Sequence, residues 1–218
     1  MKQFAVIGLG NFGFYLATRL NNKGYDVLAI DKVQNPVQEI KGRVTQAVVA
    51  DATDRRALES LGVKSMDAVV VCIGSNMSDS ILTTLNLKEI GVERVIAKSL
   101  SEAHGRILEK IGATDVLFPE KDMAISLAER LHNPNMLDYL PFMEGYSIIE
   151  LSPPKEFIGK KLRDLNLINQ YGVQVVAIKE AVPDRLNLIP TAQHTLKDNE
   201  IMILLGPNDA LDKLKGKE

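Results

Sequence analysis

The sequence predicts an α/β protein: a doubly wound parallel sheet first, then a second, smaller α+β domain. Three observations carry this. Over roughly the first 130 residues, short β-branched runs alternate with longer stretches of helical spacing. Those strand-like runs are apolar throughout, as strands covered on both faces require. Beyond residue 145 the rhythm changes, and strand-like runs outnumber short helical patches. Right-handed crossovers between successive parallel strands then give a Rossmann-type order.

The first domain is expected over 1–131. Its strands are predicted at Phe4–Ile7, Val27–Ile30, Ala47–Ala50, Ala68–Cys72, Val95–Ala97 and Val116–Phe118. Between them, Phe12, Leu16 and Leu20, and later Ile81, Leu85 and Ile90, recur at helical spacing. His132-Asn133-Pro134-Asn135 breaks the pattern, so 132–145 is read as a connector. It is expected to carry one short amphipathic helix, Met136–Leu140, ended by Pro141, whose apolar residues need cover such as a second subunit. The second domain, 146–218, is predicted to hold strands at Ser147–Leu151, Val173–Ile178, Leu186–Ile189 and Ile201–Leu205. Pro153-Pro154, Pro183-Asp184 and Asp198-Asn199 punctuate it, and its helical patches are Lys160–Leu165 and Asp209–Leu214. A domain of about 70 residues is short of core and gains from pairing with a copy of itself.

Composition bounds the function. Of 218 residues, 45% are hydrophobic and 25% charged, with a formal net charge of -2. That is an ordinary globular balance without the basic excess of a nucleic-acid binder. Cys72 is the one cysteine and lies inside an apolar run, which reads as a buried, inert thiol. The first residues lead straight into a strand, so no signal peptide is expected, and no run approaches the roughly 20 apolar residues that span a bilayer. Any role at a membrane is expected to come through a partner.

The sharpest motif is Gly8-Leu9-Gly10-Asn11-Phe12-Gly13, between the first strand and the first helix. Gly8 allows the tight turn, Gly10 the close approach of a pyrophosphate, and Gly13 the packing of helix on sheet. The helix start offers amide N–H groups and a partial positive charge to phosphates. Asp31 closes the second strand, where a carboxylate can accept from ribose hydroxyls and repel a 2′-phosphate. Lys32 follows it. The third strand ends at Ala50-Asp51-Ala52-Thr53-Asp54, which has two readings: Thr53 or Asp54 as a cap of the next helix, or Asp51 and Ala52 as the place where the sheet edge meets an adenine. Ile73 and Gly74 end the fourth; the glycine either clears a flat ring or serves an ordinary turn. Lys98 ends the fifth at the same sheet edge, within reach of phosphates or solvated.

Several catalytic patterns are missing. His104, His132 and His194 stand in unrelated contexts, no Tyr-x-x-x-Lys pair follows any tyrosine, and neither a phosphate loop of the Walker type nor clustered metal-ligand spacing occurs. These gaps favour sensing over chemistry. An NAD-dependent oxidoreductase and a ligand-free assembly module remain as alternatives.

The chain resembles the cytosolic regulatory subunits of Ktr and Trk potassium-uptake systems, which carry RCK domains. The carriers are Phe4–Gly13, Asp51-Ala52-Thr53-Asp54, Leu82–Glu89, Leu108–Ala113, Pro119–Ala124, Asn135–Tyr139 and Tyr171–Ile178, so the likeness spans nearly the whole chain. It implies no catalysis. It implies homodimers in an octameric ring, cytoplasmic and held at the inner face of the membrane by a potassium-translocating partner. ATP, ADP or AMP, or NAD(H), is implied as the ligand, at Gly8, Gly10, Asn11, Phe12, Gly13, Asp31, Lys32, Asp51, Ala52, Thr53, Ile73, Gly74 and Lys98. Glu120 is implied to face a neighbouring subunit's nucleotide, where a divalent or sodium cation sits between subunits; its plainer role is to stabilise its own helix start. Two sites depart from the family's pattern. Asn11 replaces an arginine that senses terminal phosphates, and an amide supplies neither its charge nor its fork of donors. Asn166, Ile168 and Gln174 stand where relatives that bind cyclic di-AMP carry an acid, an arginine and an asparagine.

Overall fold

The computed structural model describes residues 2–132, 136–143, 145–180 and 185–215. They form two compact units, Met1–Pro119 and Glu120–Glu218. The boundary falls at the start of a helix, ahead of the expected domain end at residue 131.

The first unit is a six-stranded parallel sheet. Its strands are β1 (Gln3–Ile7), β2 (Asp26–Asp31), β3 (Gln46–Val49), β4 (Ala68–Val71), β5 (Val95–Lys98) and β6 (Asp115–Leu117), in the order β3-β2-β1-β4-β5-β6. The helices are α1 (Asn11–Asn22), α2 (Gln34–Ile40), α3 (Arg55–Ser60), α4 (Met77–Ile90) and α5 (Glu102–Lys110). Alternate residues of the central strands feed two separate cores. Ala5, Ile7, Leu28, Ile30, Val69 and Val71 pack with Leu58, Leu87 and Leu108. Val6, Val27, Ala29, Val70 and Cys72 pack with Ala17, Val37 and Ile40. Both faces are thus covered, which is why β4 is buried at every position and why its sequence is an unbroken apolar run. Strand order reverses between β1 and β4, the switch point at which such sheets open a crevice.

The second unit begins one residue into α6 (Pro119–His132), which has proline at its first position and Glu120 and Asp122 in its first turn. Five antiparallel strands follow: β7 (Met136–Met143), β8 (Tyr146–Leu151), β9 (Gln174–Glu180), β10 (Arg185–Leu188) and β11 (Glu200–Pro207), in the order β10-β9-β11-β8-β7. Short helices α7 (Leu162–Leu165) and α8 (Leu167–Tyr171) precede β9, and α9 (Asn208–Lys215) closes the unit. Its core gathers Ile149, Leu151, Phe157, Val173, Ile178, Leu196, Met202, Leu204, Leu211 and Leu214.

One expectation is corrected. Met136–Leu140 is strand rather than helix, the start of β7 paired antiparallel with β8. The ladder to β8 is available because Gly145, at φ 77°, lets the chain reverse between the two strands. Pro141 cannot sit within a continuing helix but is tolerated on an edge strand, and its place beside a register shift agrees with that. The predicted helical patch Lys160–Leu165 and α7 share the end Leu165, and Asn166, with φ 44°, separates α7 from α8. The expected breaks at Asn133–Asn135 and Pro183-Asp184 lie outside the described residues.

Candidate functional site

The turn between β1 and α1 is fixed by glycines at two of its three positions. Gly8 has φ 93°, and a Cβ there would stand 2.9 Å from the Ile73 amide nitrogen. A Cβ on Gly13 would lie 1.9 Å from the Gly8 carbonyl oxygen. Main chain meets main chain at both points, so neither tolerates a side chain. Gly10 differs: φ is -64° and nothing lies within 4 Å of its Cβ position. The fold does not need that glycine, and the open space before it is what an approaching phosphate requires. Gly10 also starts α1 without a side-chain cap, and the first turn has no acid. By contrast Asp54, Asn76 and Ser101 cap α3, α4 and α5 with their own side chains. Asn11 and Phe12 begin α1 at this open end.

Asp31 is held against the turn. Its Oδ2 accepts from the Leu9 N–H at 2.7 Å and its Oδ1 from the Val33 N–H at 2.9 Å. The carboxylate therefore both shapes the glycine turn and has a set orientation, with lone pairs remaining for a hydroxyl donor. Lys32 reaches the other way, to Asp79 Oδ2 at 2.6 Å. That hydrogen bond, aided by the nearby charges of Asp79, Asp51 and Asp31, raises the Lys32 pKa above its ordinary value. Asp51 turns inward on its own loop, its Oδ1 accepting from the Thr53 hydroxyl at 2.7 Å and the Thr53 N–H at 2.9 Å. These two bonds lower the Asp51 pKa. The cap of α3 is Asp54, which accepts from the Arg56 N–H. Ala52, in the same loop, is buried.

On the other side of the crevice, Ile73 and Gly74 follow β4 and Lys98 ends β5. A Cβ on Gly74 would meet Lys98 Nζ at 3.6 Å, an ordinary contact, so the protein's own atoms do not demand glycine there. Lys98 Nζ stands 5.9 Å from the centroid of the Phe12 ring, a cation–π distance, and the residue is buried. Beneath it Cys72 is buried, and burial pushes its thiol up to about 12 although Lys98 opposes the shift. Such a thiol stays protonated and is no nucleophile at neutral pH.

The structure thus brings the glycine turn, Asp31, Lys32, Asp51–Thr53, Ile73, Gly74 and Lys98 to one carboxyl edge of one sheet. Glu120 belongs to the second unit, exposed in the first turn of α6. Two residues at the edge carry no motif and were missed. Asp79 receives Lys32, and Asn86 of α4 donates from Nδ2 to the Thr53 carbonyl at 2.9 Å, tying the loop after β3 to α4. No spacing signal marks either of them, because each role depends on a residue distant in sequence. The histidines are dispersed: His104 is buried in α5, and His194 lies 3.1 Å from both oxygens of buried Glu200 in the second unit. Among the described residues, no three His, Cys, Asp or Glu side chains are grouped to hold a metal, and no helix is long and apolar enough to cross a membrane.

Comparison with known proteins finds two family models along the chain. The TrkA-N domain model matches residues 4–119 and the TrkA-C domain model residues 146–217. Ktr system potassium uptake protein C of Bacillus subtilis is 38% identical over 205 residues, 94% of this chain and 92% of that protein. Among solved structures, the RCK domain of GsuK superposes with a TM-score of 0.67 at 17% identity, over 99% of this chain and 48% of that one. This chain therefore spans about half the length of that structure. A GsuK structure bound to ADP matches with a TM-score of 0.54 at 25% identity, over 61% of this chain and 34% of that one. With a family model matched over more than half its length and close likeness across almost all of a curated relative, the chain belongs to the family of TrkA-N and TrkA-C domain proteins that includes the Ktr system potassium uptake proteins.

Proposed function

We propose that this chain is the nucleotide-sensing regulatory subunit of a potassium-uptake system, not an enzyme. An adenine nucleotide (ATP, ADP or AMP) or NAD(H) binds at the carboxyl edge of the parallel sheet. The diphosphate lies against the start of α1 and the ribose against Asp31, with Lys98 near the phosphates. The observation that carries this reading is the contrast within the glycine turn: Gly8 and Gly13 are demanded by the protein's own backbone, whereas Gly10 faces open space at an uncapped helix start. A carboxylate in a set orientation beside that space accepts ribose hydroxyls. The ADP-bound relative supports the ligand class and the Ktr relative the process.

The subunit works on the cytoplasmic side through a membrane-embedded potassium-translocating partner. Copies pair and assemble in a ring, which is octameric on the family pattern. The exposed apolar side chains of α6, Met123, Ile125, Leu127 and Leu131, support contact with another copy. Glu120, in the first turn of that helix, faces a neighbour's nucleotide, with a divalent or sodium cation between them. Binding shifts the ring between two shapes, and a coupling of about 1–3 kcal/mol changes partner opening roughly 5–150-fold. Asn11 leaves terminal-phosphate discrimination to other groups, so ATP and ADP are expected to differ less in affinity here than where an arginine holds that position.

The test is potassium flux into liposomes holding the translocating partner and this subunit, with ATP, ADP or NADH in the bath. Flux that depends on the nucleotide and is lost with Asp31→Ala supports the reading. Flux indifferent to every nucleotide contradicts it, as does turnover of a reduced or oxidised substrate by the purified chain.

A further inference from the structure

The ion pair between Lys32 and Asp79 occupies a telling place. Lys32 follows the last residue of β2, and Asp79 lies in the first turn of α4, which follows β4. In the sheet, β1 stands between those two strands. A 2.6 Å contact from one to the other therefore spans the carboxyl end of β1, where the glycine turn begins, on the face that α4 covers. The two ends differ in stiffness. Asp79 is a fixed post: its Oδ1 accepts from Asn76 Nδ2 at 2.9 Å, and Asn76 is itself the cap of α4. Lys32 is a half-exposed ammonium on a flexible four-carbon stem. The carboxylates of Asp31 and Asp51 lie within its electrostatic reach, so it has other partners when it leaves Asp79. An exposed pair of this kind adds little to stability. It is well suited to opening and closing.

We infer that the Lys32–Asp79 ion pair is a gate across the adenosine side of the crevice, opened by an entering nucleotide and closed again to set how fast that nucleotide leaves. The inference rests on the nucleotide reading above and adds a kinetic role for Asp79, which no motif marks. Because the nucleotide is anionic, Lys32 also balances the acids that it must pass, and both rates become sensitive to salt.

The experiment is stopped-flow exchange of ADP labelled on its terminal phosphate, with the full chain as wild type, Asp79→Asn and the charge swap Lys32→Asp/Asp79→Lys. Asp79→Asn is expected to raise association and dissociation rates together, roughly two- to fivefold, the scale of an exposed pair. Wild type should approach the variant at about 1 M salt, where screening acts within about 3 Å. The charge swap should restore slow exchange. Rates unchanged by Asp79→Asn, with ADP still bound, overturn the gate and leave the nucleotide site standing. A fast charge-swapped variant also overturns it. A wild-type chain that binds neither ADP nor NADH overturns gate and site together.

Discussion

The two units build sheets of similar size by opposite rules, and the difference explains where a site can form. In the first unit every strand runs the same way, so all the loops that follow the strands emerge at one edge. Gly8, Asp31, Asp51, Ile73 and Lys98 belong to five different strand ends, yet they meet. In the second unit neighbouring strands run antiparallel, and successive strand ends alternate between the two edges. Its strand ends do not gather at one edge, and a cavity there is lined mainly by residues around α7, α8 and the start of β9, Asn166, Ile168 and Gln174 among them. The burial patterns follow suit: β4 is buried throughout, whereas β8 and β11 alternate along their length because only one face meets the core.

Glycines sharpen this comparison most strongly. At Gly13 the obstacle to a Cβ is a backbone oxygen at 1.9 Å; at Gly206 in β11 it is Val173 Cγ2, a side-chain atom, at 3.0 Å. Gly13→Ala is expected to cost about 3 kcal/mol or more of stability, and Gly206→Ala about 1 kcal/mol, in urea unfolding. Equal costs would show that the turn gives way as easily as the second unit's core. Next in size is Asp31→Ala, which strips the acceptors from the Leu9 and Val33 amides. It should cost about 1–2 kcal/mol and weaken nucleotide binding at least about tenfold. A loss of stability with unchanged binding would reduce Asp31 to a brace for the turn.

The units also bury titratable groups differently. Glu200 in the second unit accepts from the Lys197 amide and faces His194. His104 in the first accepts from the Leu100 N–H through Nδ1, but its Nε2 has no hydrogen-bond partner among the described residues. Burial lowers the His104 pKa from 6.5, so the folded unit holds it neutral. The unfolded chain then binds the extra proton first. Stability is complete above about pH 6.5 and falls as pH drops below it, by at most about 1.4 kcal/mol per unit. His104→Gln should flatten that slope, measured as urea midpoints at several pH values. A slope unaltered by the substitution would assign acid sensitivity elsewhere.

How far the sequence reveals this molecule follows the same division. The strands of the first unit are legible because burial on both faces writes them as unbroken apolar runs such as Ala68–Val71. The turn is legible because two of its glycines answer backbone collisions, which no other residue can satisfy. In the second unit, the sequence predicts a helix over Met136–Leu140, where β7 begins. A short apolar segment carries no decisive period, and its pairing partner β8 is set by the fold rather than by local preference. Asp79 and Asn86 escaped notice because their roles depend on Lys32 and Thr53, residues 47 and 33 positions away. Neither a spacing rule nor a propensity encodes such a tie.

The central claim is that the space in front of Gly10 exists for a ligand. Gly10→Ala isolates it, since φ is -64° and the added methyl group touches nothing of the protein. Calorimetric titration of ADP into wild type and Gly10→Ala, beside their melting curves, is the direct measurement. The account predicts stability within about 0.5 kcal/mol of wild type and affinity at least about tenfold weaker, a difference of about 1.4 kcal/mol. Full affinity in a Gly10→Ala protein of unchanged stability would contradict it.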